Sequence, residues 1–332
     1  MFDKIYVINL DRDTKRLADI QYQLNREKIQ NYERVPGVLG KSRIQENLKK
    51  YTSPDMLKFL PKGLVGCGIS HIKAWETMVK SGEPSALFLE DDAELSPGFK
   101  ETLAVYSKDI PKDFDIIYLG AFIGNDIIKK YTLDYSVMKL LNFGKVKQVV
   151  KYSDNVFTPA LPLAMHGYIL SRKYAKKLLE NFLRDKLTYH IDFQILRYNY
   201  TAKVFSVSPV LITQQDIDID TSSNANFVFP KSINAILNVK DSFGIPMNYK
   251  LSLAHFEFAD TPINGYFYIF CSMALLSGIL GYDSRYISGI ILTLLVIDTA
   301  LFGISTDSNI NVVVILLFSY IFNLLGKQFR AK

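Results

Sequence analysis

Residues 87–93 read Leu-Phe-Leu-Glu-Asp-Asp-Ala, an apolar run that passes directly into three consecutive carboxylates, Glu90, Asp91 and Asp92. Like charges repel, so folding alone gains little by gathering them at a strand end. A divalent cation removes the repulsion, and hard oxygen ligands are what Mg2+ or Mn2+ prefers. If the strand continues through the cluster, side chains alternate, so that Glu90 and Asp92 project to one side and Asp91 to the other. Two acids at i and i+2 can clamp a cation that itself carries a diphosphate. The competing reading is an acidic loop that closes a buried strand.

The elements that must position such a cluster alternate along the first 260 residues. Strands are expected at Lys4 to Leu10, Tyr32 to Val38, Ala86 to Leu89, Phe114 to Gly120 and Gly167 to Ser171, with Lys203 to Ile212 extended. Helical spacing appears over Thr14 to Ile29 (Leu17, Ile20, Leu24 and Lys28), from near Ser70 (Ile72, Trp75, Met78 and Val79), and over Pro97 to Val105, Tyr174 to Leu183 and Asp192 to Tyr200. Strands alternating with helices of this length predict an α/β domain with a mostly parallel central sheet covered on both faces. Ligands of such sheets bind beyond the carboxyl ends of the strands, where the acidic triplet falls. Residues 123–158 are the least patterned soluble stretch.

The chain has 332 residues, enough for one large domain or two ordinary ones. Its net charge is +6, but Lys and Arg are scattered and not interleaved with aromatic residues, which argues against nucleic-acid binding. Cys67 and Cys271 stand far apart and no CxxC or CxxH spacing exists, which argues against a structural zinc motif and a disulfide framework. The opening Met-Phe-Asp-Lys-Ile-Tyr-Val-Ile-Asn-Leu reads as a first strand and not as a signal peptide.

Composition changes near residue 260. From Gly265 to Gly326 the charged residues are only Asp283, Arg285, Asp298 and Asp307. Gly265 to Tyr282, Tyr286 to Ser305 and Ile310 to Gly326 are apolar nearly all round, each close to the roughly 17–25 residues that cross a bilayer. The expected organisation is therefore an α/β domain over 1–258 and a membrane-associated segment over 259–332, with two or three transmembrane helices. Lys327, Arg330 and Lys332 mark the tail as cytoplasmic. Three crossings would place the α/β domain outside. Two crossings, with one segment in the interface, keep it cytoplasmic, which is the reading that needs no signal peptide. Asp298 is costly in lipid and is expected to face protein or another polar group.

Short motifs fall in a recognisable order: Asn9-Leu10-Asp11-Arg12 with Arg16, Gly66-Cys67-Gly68-Ile69-Ser70-His71 with Trp75, Leu89-Glu90-Asp91-Asp92, Asp115-Ile116-Ile117-Tyr118-Leu119-Gly120, His166-Gly167-Tyr168-Ile169-Leu170-Ser171, His190-Ile191-Asp192, and Pro209 with Gln214. This series resembles glycosyltransferase family 25, which includes lipooligosaccharide and collagen galactosyltransferases. The resemblance covers about residues 2–216 and leaves out the apolar tail. It implies a GT-A fold and an inverting transfer of a sugar, galactose first, from a UDP-sugar donor to a hydroxyl of a glycan, glycolipid or protein acceptor. It also implies Mn2+ or Mg2+ as cofactor.

On that resemblance Asp92 is expected to hold the metal directly, Glu90 to hold the metal or the donor ribose, and Asp91 to support them or orient the sugar. Asn9, Arg12 and Arg16 follow the first strand, where base and diphosphate would lie, although a solvated helix N-terminus would look the same. Ser70 reads as an N-cap, with His71 in a first helical turn whose free N–H groups favour an anion. Cys67 reads as a small packed residue. His166 is a cleft side chain or a satisfied core histidine, and His190 a metal ligand or part of an aromatic surface with Tyr189. Asp192 is the expected general base; its other reading is an N-cap aspartate. Two readings from other classes stay open: an inactive membrane-anchored sugar-nucleotide-binding protein, and a transporter or flippase with an appended soluble domain.

Overall fold

The first and third strands are continuous apolar runs, Ile5-Tyr6-Val7-Ile8 and Ala86-Leu87-Phe88-Leu89, buried on both faces as central strands covered on two sides must be. In the computed structural model, which describes residues 2, 4–122, 148–215, 229–237, 239, 247–253, 256–258, 261–303 and 306–331, the chain forms two compact units: residues 1–57 with 64–216, and residues 58–63 with 217–332.

The first unit runs β1 (Lys4–Asn9), α1 (Thr14–Arg26), β2 (Tyr32–Pro36), α2 (Pro54–Phe59), α3 (Lys62–Ser81), β3 (Ser85–Glu90), β4 (Ala93–Leu95), α4 (Phe99–Tyr106) and β5 (Ile116–Phe122). After residues 123–147, which lie outside the described residues, come β6 (Val150–Lys151), β7 (Val156–Thr158), β8 (Leu163–Ser171), α5 (Arg172–Asp185), α6 (Ile191–Asn199), β9 (Val204–Val207) and β10 (Ile212–Gln214). One sheet has the order β2-β1-β3-β8-β5-β9-β7-β6. The pairs β1–β2, β1–β3 and β5–β9 are parallel, but β8 runs antiparallel between β3 and β5, and β7 is antiparallel to β9 and β6. The sheet is thus mixed where a mostly parallel one was expected. A strand followed by a helix has the same periodicity whichever way the strand points, so direction is not legible in the pattern.

The register places a row of rings across the middle of the sheet: Tyr6 opposite Phe88, Phe88 opposite Tyr168, and Tyr168 opposite Tyr118. Tyr6 stacks on Phe88 at 5.5 Å and Phe88 on Tyr168 at 5.2 Å between centroids. Such pairs each add about 0.5–1.5 kcal/mol beyond their buried area. The opposite face carries Ile5, Val7, Leu87, Leu89 and Ile169, packed with Ile20 and Leu24 of α1. Helix α1 ends at Arg26, and Lys28, which helical spacing placed on its stripe, adopts a left-handed φ of 54°.

The second unit contains α7 (Lys231–Ile236), α8 (Met247–Ser252), a hairpin of β11 (Phe256–Phe258) and β12 (Thr261–Ile263), and three long helices: α9 (Gly265–Ile279), α10 (Ser284–Phe302) and α11 (Thr306–Arg330). The three apolar stretches thus form three helices. Helices α9 and α11 pack backbone to backbone, because a Cβ on Gly278 would collide with the Asn323 carbonyl and one on Gly326 with the Leu275 carbonyl. Two segments, Ser284–Phe302 and Asn311–Arg330, are long and apolar enough to cross a membrane, and Val296, Leu301 and Leu317 lie exposed on them. Asp298 does face polar groups: its carboxylate accepts from the backbone N–H groups of Lys231 (2.6 Å) and Ser232 (2.9 Å) at the start of α7. Phe229, Ile233 and Leu251 pack into the helical cluster, so the residues just before 258 group with the helices and not with the sheet.

Candidate active site

Parallel pairing of β1 and β3 sets Ile8 opposite Glu90, so Asn9 comes level with Asp91 where the two strands end. Strand β3 stops at Glu90, and Asp91 and Asp92 occupy the turn before β4. The triplet therefore does not alternate as a continuing strand would; each carboxylate meets its own partners. Asp91 Oδ2 accepts from Asn9 Nδ2 at 2.7 Å, while Asn9 Oδ1 accepts from Arg34 Nε at 2.8 Å. Arg16, on the first turn of α1, lies 3.6 Å from Asp91 Oδ1 and 3.9 Å from Asp92 Oδ2. Burial, opposed by the Asn9 hydrogen bond, lifts the Asp91 carboxyl to about 6. Asp92 Oδ2 accepts from Gln214 Nε2 at 2.9 Å, and the Asp92 carbonyl accepts from the Gln215 N–H at 2.8 Å, both arranged by the β4–β10 pairing. Asp92 Oδ1 is buried with no hydrogen-bond partner. A lone buried carboxylate oxygen is costly unless a cation or donor completes it, so the residues here fit a divalent ion.

Glu90 turns toward α3. That helix begins at Lys62, well before the expected start near Ser70, because Gly66 and Gly68 lie inside it. A Cβ on Gly66 would strike the Val38 carbonyl, so glycine here lets the helix approach the segment after β2. Ser70 is therefore not an N-cap: it is buried in mid-helix, donates to the Gly66 carbonyl and accepts from the Val38 N–H. His71 likewise lies in the helix interior, 1% exposed, and not in a first turn whose free N–H groups would bind an anion. Its Nε2 is 2.9 Å from Glu90 Oε1 and its Nδ1 3.0 Å from Tyr168 Oη, which also accepts from Trp75 Nε1 at 2.8 Å. Burial drives the His71 imidazole down to about 4, so the ring is neutral at ordinary pH. Burial, then the Asp92 and Asp91 charges, raises the Glu90 carboxyl well above its usual range.

Asp192 lies in the first turn of α6, reached from β8 through α5 as the pattern predicted. The flanking N-cap position belongs to His190, so the N-cap reading of Asp192 does not hold. Burial, then the Glu90 charge, lifts Asp192 to about 6, while His71 and a hydrogen bond from the Ala164 N–H pull it down. Ala164 reaches that geometry with a φ of 73°, a left-handed conformation that costs a non-glycine residue roughly 1–2 kcal/mol. His166 is buried beside the Ile212 carbonyl at 3.3 Å, and Asp92 is among the charges it feels. A Cβ on Gly120 would collide with both His166 and the Ile212 carbonyl, which explains that glycine at the end of its strand motif.

Two expected members are not drawn to the triplet. Arg12 is more than half exposed and pairs with its neighbour Asp13 at 3.5 Å. His190 packs edge-on against Phe193, with 6.3 Å between ring centroids. Among the described residues, the side chains whose ligand atoms converge on one point are Cys67, His71 and Glu90, all within 4.8 Å, and not Asp92, Glu90 and His190. Sequence reasoning gave no role to Tyr168, Trp75 and Arg34. Tyr168 was findable, since it lies two residues from His166 on the same face of β8.

This constellation lies within residues 2–195, the span that matches the model of glycosyltransferase family 25 (LPS biosynthesis protein). The chain belongs to glycosyltransferase family 25. Curated relatives match at modest identity. Procollagen galactosyltransferase 2 of Mus musculus is 31% identical over 129 residues, 36% of this chain and 21% of that protein. Inactive glycosyltransferase 25 family member 3 of Homo sapiens is 32% identical over 129 residues, 36% of this chain and 22% of that protein. The protein named putative glycosyltransferase R655 of Acanthamoeba polyphaga mimivirus is 30% identical over 139 residues, 40% of this chain and 43% of that protein. The matched part thus spans between about a fifth and two fifths of these family 25 relatives. The acidic triplet and its neighbours Asn9, Arg16, His71 and Asp192 fall within the family 25 match and within the first unit of the fold.

Proposed function

We propose that the protein is a GT-A-type, metal-dependent inverting glycosyltransferase that moves a sugar, galactose first among candidates, from a UDP-sugar to a hydroxyl of a glycan, glycolipid or protein acceptor. The observation that carries this reading is Asp92 Oδ1, buried without a hydrogen-bond partner just past the carboxyl end of β3, in a carboxylate whose other oxygen lies 3.9 Å from Arg16. Asp92 would hold Mn2+ or Mg2+, which when bound neutralises charge on the leaving diphosphate, while Glu90, whose Oε1 faces His71, would serve the donor ribose. Arg16 adds a guanidinium suited to phosphate oxygens, and Asn9 fixes Asp91 so that the triplet keeps its spread. Asp192 takes the acceptor hydroxyl's proton as that oxygen attacks from the face opposite the diphosphate. Its raised carboxyl gives it the basicity the task needs. The apolar helices α10 and α11 would anchor the chain in a membrane, with the catalytic unit on the cytoplasmic side.

Two specific observations bear on the other readings. Relatives named inactive favour a non-catalytic sugar-nucleotide-binding protein, whereas the intact triplet favours turnover. Asp298, the one charged residue in the middle of α10, is taken up by the start of α7, which removes the polar foothold that a transport path would need. A donor screen with the full chain in detergent tests the proposal: UDP-galactose, UDP-glucose and UDP-N-acetylglucosamine are each offered with Mn2+, and UDP release is measured. Release from one donor, abolished by chelator, is the expected result. No release from any donor, with UDP still bound, would establish the binding-protein reading instead.

A further inference from the structure

We propose that Cys67, His71 and Glu90 form a second cation site, a thiolate–imidazole–carboxylate site for a zinc-class ion, distinct from the all-oxygen position at Asp92. Cys67 and His71 are four residues apart on α3 and so share one face of the helix, and Glu90 reaches them from the end of β3. One ligand atom from each lies within 4.8 Å of the others, and His71 Nε2 is already 2.9 Å from Glu90 Oε1. Around a tetrahedral ion with bonds of roughly 2.0–2.3 Å, neighbouring donors stand about 3.3–3.8 Å apart. Small side-chain rotations therefore bring all three onto one ion.

The donor set decides which ion. Sulfur and nitrogen donors favour zinc-class metals, while Mg2+ and Mn2+ prefer the carboxylate-only surroundings of Asp92. Three protein ligands leave a fourth position open, the arrangement of zinc sites that exchange a ligand. The ring of His71 is held for this role: Tyr168 Oη sits 3.0 Å from Nδ1, and Trp75 Nε1 in turn donates to that oxygen at 2.8 Å. An outer partner that fixes an imidazole in this way is the usual companion of a metal-ligating histidine. Binding releases the Cys67 thiol proton to solvent, so thiolate and carboxylate together neutralise the divalent charge. The site stands on this geometry and does not depend on the transferase reading.

Co2+ is the probe, because a cobalt–thiolate bond announces itself in absorption. The full chain in detergent, stripped with chelator, is titrated with Co2+ in the absence of nucleotide. One equivalent should produce a thiolate-to-cobalt charge-transfer band in the near ultraviolet together with intense visible bands of tetrahedral cobalt, and one equivalent of Zn2+ should bleach both. Cys67→Ser should abolish the charge-transfer band, while Cys271→Ser and Asp92→Asn should keep it. Tyr168→Phe, which preserves the stacked ring, should keep the band but weaken cobalt binding roughly 10–100-fold. If Cys67→Ser does not fold, Glu90→Gln decides: the tetrahedral visible bands should collapse. A missing band in the native chain, a band that survives Cys67→Ser, or unchanged visible bands in Glu90→Gln would each overturn the site. Asp92→Asn separates this outcome from failure of the transferase reading, since it should lose Mn2+-dependent UDP binding and retain the cobalt signal.

Discussion

The side-chain amide of Asn9 donates to Asp91 Oδ2 at 2.7 Å and so fastens the end of the first strand to the middle carboxylate of the triplet. With Asn9 on Asp91 and His71 on Glu90, the triplet oxygen left buried and without a hydrogen-bond partner is Asp92 Oδ1. Asp92→Asn should therefore lower Mn2+-dependent turnover at least tenfold, about 1.4 kcal/mol of transition-state stabilisation. Asp91→Asn keeps an acceptor for Asn9 and should cost less. Steady-state kinetics over a Mn2+ series checks the order; near-native turnover in Asp92→Asn would refute the assignment.

Asp192→Asn should lower turnover by roughly 10²–10⁴ with UDP affinity unchanged in calorimetry, because a base touches the acceptor and not the diphosphate. Weakened UDP and metal binding in this variant would make Asp192 a ligand instead.

The pH profile follows from the same carboxyl, raised to about 6 from its ordinary 3.8 chiefly by burial. As a base Asp192 must be ionised, so kcat/KM should rise with pH through about 6. Stability runs the other way: the folded state holds this proton more tightly, so the stabilisation is full below about pH 4 and is lost as pH rises through about 6. Thermal midpoints from pH 4 to 8 should show Asp192→Asn gaining on the native chain at the upper end.

Asp298→Ala would leave the N–H groups of Lys231 and Ser232 without their acceptor. The expected cost is about 1–3 kcal/mol per unsatisfied buried group, confined to the helical unit. Circular dichroism melting in detergent should show an earlier helical transition. Fluorescence of Trp75, the only tryptophan, reports the sheet unit and should not move.

A cut after Phe258 should give aggregating material, because Phe229, Ile233 and Leu251 lose the helices they pack against. A cut after Asp216 removes those residues as well and should stay soluble. Sedimentation of the two truncated chains compares them directly.

The acidic triplet, the order of motifs around it and the apolar tail are local patterns, so sequence by itself determined the family, the strand end that carries the carboxylates and the three long helices. The position of Asp192 in the first turn of α6 was likewise legible, because its place after a strand and a helix depends only on element order. What each carboxylate touches was decided by tertiary structure. Strand register brings Asn9 to Asp91, the β4–β10 pairing brings Gln214 to Asp92, and the glycine-lined approach of α3 brings His71 to Glu90. The reversed direction of β8 and the early start of α3 escaped the pattern for one reason. Periodicity reports which face of an element is buried, whereas strand direction and helix entry are set by where distant segments pack.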